Sequence, residues 1–239
     1  MSNEYYDGTK LLSLKDINGR QPELYLCTTN RTGGKTTYFG RLAVNRFMKT
    51  GSKFALLYRY NYELDDVGDK FFKDLKGLFF SHYNMVSKRR ANGIYHELFL
   101  MEADDEDTEK SCGYAITLNS ADQIKKYSHL FSDVDMIIFD EAVASDGERP
   151  IPHEFNAFLN FYETVNRNRE LSGDKPVQAV LLGNANRLTN PYYSGWHFMK
   201  TALNMIHGNQ MIWRSGDGSR LMVLLLGSRI SDQKANTVL

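Results

Sequence analysis

The 239-residue sequence contains only two cysteines, and their scarcity excludes two kinds of stabilised architecture. Cys27 and Cys112 lie far apart without Cys-x-x-Cys spacing, which predicts neither a disulfide framework nor a zinc site. The chain also lacks an apolar run that could cross a bilayer, because its longest aliphatic stretch covers only residues 221–226. The N-terminus has no apolar core and predicts no secretion signal. We therefore expect a soluble protein of a reducing compartment, without membrane attachment.

The sequence has no excess of charge of either sign, since 29 basic residues balance 29 acidic ones. That balance argues against a histone-like coat for nucleic acid, although it is compatible with a local basic groove. Internal repeats and low-complexity tracts are absent as well. A chain of this length can bury the core of one large α/β domain or of two small ones.

Apolar runs typical of buried strands alternate with segments that have apolar residues at helical spacing. The predicted strands cover residues 23–28, 54–60, 92–103, 113–118, 134–142 and 177–185. The predicted helices cover residues 36–51, 69–80, 121–131, 153–170 and 191–208, and a hairpin of MIWR and LMVLLLG follows them. Continuous apolar strands between helices predict an α/β fold with a mainly parallel sheet and helices on both faces.

The stretch CTTNRTGGKTT, residues 27–37, has the strand–turn–helix surroundings of a phosphate-binding loop. Lys35 would reach the β- and γ-phosphates of ATP, and the Thr36 hydroxyl would bind Mg²⁺. Thr29 stands where the motif opens with glycine, which serves the turn and binds no phosphate. The alternative is a polar turn at a helix start in which Gly-Lys-Thr is coincidental. The predicted nucleotide-binding residues are Asn30, Arg31, Thr32, Gly33, Gly34, Lys35, Thr36 and Thr37.

Two further strands end in polar side chains that suit ATP hydrolysis. Asp140 and Glu141 follow the apolar run MIIF, where an aspartate can bind Mg²⁺ and a glutamate can polarise the attacking water. Asn184 ends the run AVLLGN, where an amide can bond both the γ-phosphate and that water. Acids or asparagine at a strand end also occur for structural reasons. Three strand ends that carry Gly-Lys-Thr, Asp-Glu and Asn, in this order along the chain, predict a P-loop NTPase of the additional-strand, catalytic-glutamate class.

Several segments resemble the DNA-packaging ATPases of φ29-like bacteriophages. The most specific is TVNRNRE, residues 164–170, followed by LLGNANRLTNPYY, residues 181–193. NRTGGKT (30–36), NRFMKTGSKFALLYRYNYEL (45–64) and the FDE motif are also similar to that family. The resemblance covers residues 20–195 and is scattered outside these motifs.

The resemblance implies an ATPase that pumps double-stranded DNA into a viral procapsid. It implies a homomeric ring, pentameric in that family, docked on the procapsid portal in the host cytoplasm, with a packaging RNA as scaffold. It assigns Arg31, Lys35 and Thr36 to the nucleotide, Asp140 and Glu141 to Mg²⁺ and water, and Asn184 to sensing. It also assigns Arg167 as an arginine finger.

The sequence departs from that family at Thr29 and in its length. Family members usually carry a further C-terminal domain resembling an inactive nuclease. We expect an ATPase domain over residues 1–207, then a hairpin and the start of a linker over 208–239, without the nuclease-like domain.

Other classes of protein use a similar loop and stay as alternatives. A P-loop kinase would lack the glutamate after the strand aspartate, and a filamentous-phage assembly ATPase would carry a membrane-spanning helix. A binding module without hydrolysis would not need Lys35, Asp140 and Glu141. For DNA contact, the strongest candidates are Lys88, Arg89 and Arg90, although a solvated turn explains this basic run equally well.

Overall fold

A computed structural model describes residues 14–29, 34–144, 149–167, 169–184 and 188–224, with residue 170 described only by its backbone. The strands are β1 (Leu24–Thr29), β2 (Lys53–Tyr58), β3 (Tyr83–Arg90), β4 (Tyr95–Glu102), β5 (Asp105–Thr117), β6 (Val134–Val143), β7 (Gln178–Asn184), β8 (Ile212–Arg214) and β9 (Arg220–Leu224). The helices are α1 (Lys35–Thr50), α2 (Val67–Leu78), α3 (Ala121–Ile124), α4 (Glu154–Asn166), α5 (Pro191–Gly195) and α6 (Met199–His207).

The strand order is β3-β4-β5-β2-β6-β7-β1-β9-β8, and the chain divides into two compact units that share β6. The first unit comprises residues 1–38, 140–150 and 178–239. The second comprises residues 39–139 and 151–177. The predicted α/β fold with a mostly parallel sheet is confirmed, whereas the strands toward both edges of the order are antiparallel.

In the first unit, β1 lies between two parallel neighbours, β7 and β9. All six β1 residues are buried, as expected of a strand covered on both faces. The predicted C-terminal hairpin is present, and its β8 pairs antiparallel with β9. The β1 strand therefore provides a fixed support for the loop that follows it.

In the second unit, β2 pairs in parallel with β5 and β6, and β3, β4 and β5 form an antiparallel meander. The strand β3 was missed from the sequence, because YNMVSKRR lacks regular apolar alternation. The acidic segment 101–110 forms a hairpin, because residues 103–104 turn between β4 and β5. Its carboxylates continue into β5, which is much longer than predicted.

The single helix predicted over residues 191–208 is wrong, because two helices, α5 and α6, occupy that range. They are separated at Trp196–Phe198, where His197 has a left-handed φ of 59°. The segment predicted as a helix over 121–131 is α3 followed by a 3₁₀ helix, Lys125–Phe131. In the part of the chain that the structure describes, no helix is long and apolar enough to span a bilayer.

Gly113 is required by the close approach of β5 to β2, and its replacement tests the strand pairing. A Cβ at Gly113 would lie 2.2 Å from the Phe54 carbonyl oxygen, so we expect Gly113→Ala to lower the free energy of unfolding by about 3 kcal/mol. Gly77, exposed in α2 with open space around it, is the control. Gly77→Ala should raise that free energy by roughly 1 kcal/mol. Chemical denaturation measures both, and an unchanged Gly113→Ala would contradict the pairing.

Candidate nucleotide-binding site

The tips of β1 and β7 lie side by side, because the two strands pair in register up to their last residues. Thr29 is the Cα partner of Asn184, and Thr29 is completely buried. Thr29 is not among the described residues with a positive φ. The position where the loop motif carries glycine is therefore the last residue of an extended strand, and this conformation does not require glycine.

The described end of the loop leads directly into α1. Gly34 has a φ of 78°, which is the left-handed region that glycine adopts without strain. The Tyr38 amide donates to the Gly34 carbonyl at 2.9 Å and so forms the first turn of the helix. The predicted binding residues Asn30, Arg31, Thr32 and Gly33 lie outside the described residues. Gly34, Lys35, Thr36 and Thr37 all lie at the helix N-terminus, where phosphate binding is favoured.

The Lys35 side chain is buried at this helix start and points to the tip of β7. Its Nζ donates to Asn184 Oδ1 over 3.4 Å, and the residue exposes only 7% of its surface. Burial lowers the pKa of Lys35, while the charges of Asp140 and Cys27 oppose that shift. An anionic ligand here would favour the charged ammonium, because an opposite charge stabilises it.

Thr36 and Asp140 form a pair of adjacent oxygen ligands. The Thr36 hydroxyl donates to Asp140 Oδ2 at 2.9 Å, bringing the helix start against the end of β6. Mg²⁺ sites in nucleotide enzymes combine one or two protein oxygens with phosphates and waters, so this pair fits a Mg²⁺ site. Among the described residues, no group of three or more His, Cys, Asp or Glu side chains could hold a metal.

Asp140 and Glu141 differ in their surroundings although they are adjacent. Burial of the carboxylate raises the pKa of Asp140, and hydrogen bonds from Thr36 and the Glu141 amide, with the Lys35 charge, oppose this. Glu141 is exposed and has a φ of 53°, which is uncommon for a residue with a side chain. Such conformations concentrate at functional sites and cost about 1–3 kcal/mol.

Two contacts that sequence reasoning missed fix the strands around this site. A Cβ at Gly183 would lie 2.6 Å from Val143 Cγ2, so glycine allows β7 to pass close to the end of β6. The buried Tyr193 hydroxyl donates to Thr28 Oγ1 at 2.8 Å and ties α5 to the loop strand. The glycine in LLGNAN is the sequence signal for the first contact, whereas the second joins residues too distant in sequence to be paired.

The structure brings seven of the predicted site residues together within the first unit: Gly34, Lys35, Thr36, Thr37, Asp140, Glu141 and Asn184. Arg167 belongs to the second unit, where it ends α4 in a left-handed conformation with a φ of 47°. Arg167 is exposed, and its Nη1 donates to the Ser128 carbonyl at 3.3 Å. The catalytic and binding roles of these residues stay predictions.

A buried ion pair in the second unit was also missed. Arg59 donates through Nε and Nη2 to the two carboxylate oxygens of Glu154, at 2.7 and 2.9 Å. Both side chains are almost completely buried. Breaking such a pair costs about 3–5 kcal/mol, so it fixes the start of α4 relative to the end of β2. The separation of the two residues along the chain hides the pair from sequence reasoning.

The basic run suggested for DNA contact lies at the end of β3 and is largely neutralised there. Lys88 pairs with Glu109, and Arg90 donates to Glu97 at 3.0 Å. Arg89 donates to the Asn92 carbonyl at 3.0 Å. Two of the three cations therefore have carboxylate partners, on β4 and β5, which favours a solvated hairpin face over a surface that grips DNA.

Comparisons with known proteins converge on one family. A family model described as "Podovirus DNA encapsidation protein (Gp16)" matches residues 2–205. The DNA packaging proteins of Bacillus phages PZA and phi29 are each 33% identical to this chain over 190 residues. That match covers 79% of this chain and 49% of each relative, so the chain spans about half the length of the curated relatives it matches.

Solved structures show the same similarity. The crystal structure of the N-terminal domain of the DNA packaging ATPase from bacteriophage phi29 aligns with a TM-score of 0.68 and 28% sequence identity. The alignment covers 92% of this chain and 95% of that domain. The Phi-28 gp11 DNA packaging motor aligns with a TM-score of 0.66 over 94% of this chain and 60% of its own, and at 20% identity it shows a shared fold alone.

Proposed function

Because the chain belongs to the Podovirus DNA encapsidation protein (Gp16) family, we propose that it is an ATP-hydrolysing motor subunit that translocates double-stranded viral DNA into a procapsid. The observation that carries this proposal is the convergence of Lys35, Thr36, Asp140 and Asn184 at neighbouring strand tips. The proposed fold class is a P-loop NTPase of the additional-strand, catalytic-glutamate class. The position of β7 between β6 and β1, with Asn184 at its tip, supports the additional strand.

In the proposed reaction, water attacks the γ-phosphorus of ATP as the bond to the ADP oxygen breaks. Lys35 and the N-terminus of α1 bind the phosphates, and Glu141 orients the water and accepts its proton. Mg²⁺, held by Thr36 and Asp140, would supply further charge neutralisation. Asn184 lies beside Lys35, where its amide can report whether the γ-phosphate is present.

The proposed working form is a homomeric ring in which Arg167 reaches the nucleotide of a neighbouring subunit. The exposure of Arg167 at the end of α4 supports this role, since an arginine finger must project from the surface of its own subunit to reach a neighbour. The proposed ring is pentameric and docks on a procapsid portal in the host cytoplasm, with a packaging RNA as a further partner. These assembly partners rest on the family alone.

DNA-stimulated ATP hydrolysis tests the proposed function directly. We expect turnover to rise when duplex DNA is added, and to rise equally for unrelated sequences, because phosphate contacts carry no sequence information. The stimulation should weaken steeply as salt increases, since binding releases counterions. A P-loop kinase would hydrolyse ATP poorly and ignore DNA, and that result would overturn the proposal. Lys35→Ala, purified in the same way, is the control, because any hydrolysis that it shows comes from contaminating ATPases.

Glu141→Gln should separate nucleotide binding from hydrolysis. We expect the variant to bind ATP with Mg²⁺ as the unaltered protein does but to hydrolyse it about a hundredfold more slowly or worse, because the amide is a poor general base. Binding of a fluorescent ATP analogue and phosphate release measure the two steps. Glu106→Gln, at the exposed hairpin tip, is the matched control. Loss of binding together with turnover would make Glu141 a structural residue.

A further inference from the structure

The segment after α4 contains two arginines that the sequence does not distinguish. Arg167 closes the helix, and its amide donates to the Glu163 carbonyl at 2.9 Å. Its left-handed backbone conformation ends the helix at this residue. Arg169 follows two positions later and begins the short 3₁₀ helix Arg169–Ser172. The direction of Arg167 therefore depends on what holds the backbone beyond it.

Arg169 fastens this segment to backbone carbonyls of its own unit. One terminal nitrogen, Nη2, lies 2.7 Å from the Val134 carbonyl oxygen, 2.9 Å from that of Ser132 and 3.3 Å from that of Phe131. Phe131 and Ser132 lie at the end of the 3₁₀ helix Lys125–Phe131, where carbonyls lack partners within the helix. A guanidinium is always charged and offers several donors in a fixed plane, so it suits such a cluster.

The two guanidinium groups therefore differ in how firmly they are held. Arg169 is half-buried and has two bonds of ordinary length. Arg167 is exposed, and its bond to the Ser128 carbonyl, at 3.3 Å, is longer than an ordinary N–H···O bond. Both donors are charged, but hydrogen bonds weaken as they lengthen, so the Arg169 contacts are harder to break than the single long Arg167 contact.

We propose that Arg169 is a positioning residue that fixes the backbone after α4 and so presents the Arg167 guanidinium to the nucleotide of a neighbouring subunit. The inference rests on the proposed role of Arg167 as an arginine finger. Arg169 itself does not contact the nucleotide. This division of roles explains why Arg169 makes two short bonds to carbonyls, whereas Arg167 is exposed and makes one long bond.

Mixed assemblies distinguish this positioning role from a general contribution to folding. Arg169→Ala should lower kcat for ATP by about tenfold to a hundredfold, because small misplacements of a catalytic group are costly, and should leave binding of a fluorescent ATP analogue unchanged. Mixing Arg169→Ala with Lys35→Ala should restore turnover, since one supplies intact loops and the other intact fingers. Mixing it with Arg167→Ala should not. Arg214→Ala removes a single guanidinium–carbonyl contact elsewhere and is the matched control.

Three results would contradict the positioning role of Arg169. If Arg169→Ala hydrolyses ATP normally while Arg167→Ala is inactive, Arg169 has no positioning role, although Arg167 can still be the arginine finger. If Arg167→Ala hydrolyses ATP normally, Arg167 is not an arginine finger and the inference about Arg169 fails as well. Loss of analogue binding in Arg169→Ala, without recovery by Lys35→Ala, would show a structural role instead. If Arg169→Ala does not fold, Arg169→Lys takes its place, and we expect it to keep part of the turnover with the same pattern of recovery.

Discussion

Arg167→Ala should reduce ATP hydrolysis by about a thousandfold under conditions in which the protein assembles, because a finger supplied from a neighbour stabilises the charge of the transition state. Arg167→Lys should be almost as inactive, since an ammonium cannot bridge two phosphate oxygens bidentately. Steady-state turnover at protein concentrations above and below assembly measures both effects. For the unaltered protein, activity should rise more steeply than linearly with concentration.

A mixture of two inactive variants tests whether the arginine acts between subunits. Arg167→Ala retains the loop, and Lys35→Ala retains the arginine, so some interfaces in mixed rings contain both groups. Recovered turnover supports action in trans. The favourable interaction of a cation with the C-terminus of α4 is a competing explanation for Arg167, and it predicts a small loss of stability with normal hydrolysis. Normal ATP hydrolysis by Arg167→Ala would show that Arg167 is not an arginine finger.

Lys35→Ala should abolish ATP hydrolysis and leave the fold intact. The Lys35 ammonium lies beside Asn184 at the start of α1, so its removal should take away the proposed phosphate ligand while the helix keeps its place. The lowered pKa of Lys35 shows that burial penalises its charge, so we expect no loss of thermal stability.

Lys49→Ala is the matched control for this variant, because Lys49 belongs to the same helix but is exposed in its last turn. It should hydrolyse ATP at the unaltered rate. Thermal unfolding, with and without ATP, accompanies the activity measurement: ATP should raise the unfolding temperature of Lys49→Ala but not of Lys35→Ala. If Lys35→Ala hydrolyses ATP at the unaltered rate, the assignment of the nucleotide site is wrong.

The strands that form the candidate site could be predicted closely from the sequence. The predicted bounds of β1, β6 and β7 differ from the observed ones by no more than one residue at either end. These strands are apolar runs that end abruptly in polar residues, and parallel strands bring such ends to one edge of the sheet. The convergence of Lys35, Asp140 and Asn184 follows from that topology, whereas the pairing of Thr29 with Asn184 required the structure.

Two kinds of feature could not be predicted from the sequence: contacts between residues distant in the chain, and breaks in an element whose flanking residues follow a strong helical pattern. The β3 strand ends in three cations, and their partners Glu97 and Glu109 are identified only when the hairpin register is known. The break between α5 and α6 follows Gly195, a signal that the strong apolar pattern on either side concealed. Arg169 and Arg167 look equivalent in RNRE, since only the fold places backbone carbonyls around one of them.

The ladder between β1 and β7 limits how the site can respond to the nucleotide. Six consecutive residue pairs join the strands up to Thr29 and Asn184, so one continuous ladder holds both the base of the loop and Asn184. A slip of one residue would shift β7 by about 3.3 Å and turn its side chains to the opposite face of the sheet. In the proposed mechanism, Asn184 therefore responds to release of the γ-phosphate by rotation of its side-chain amide, while β1 and β7 keep their register.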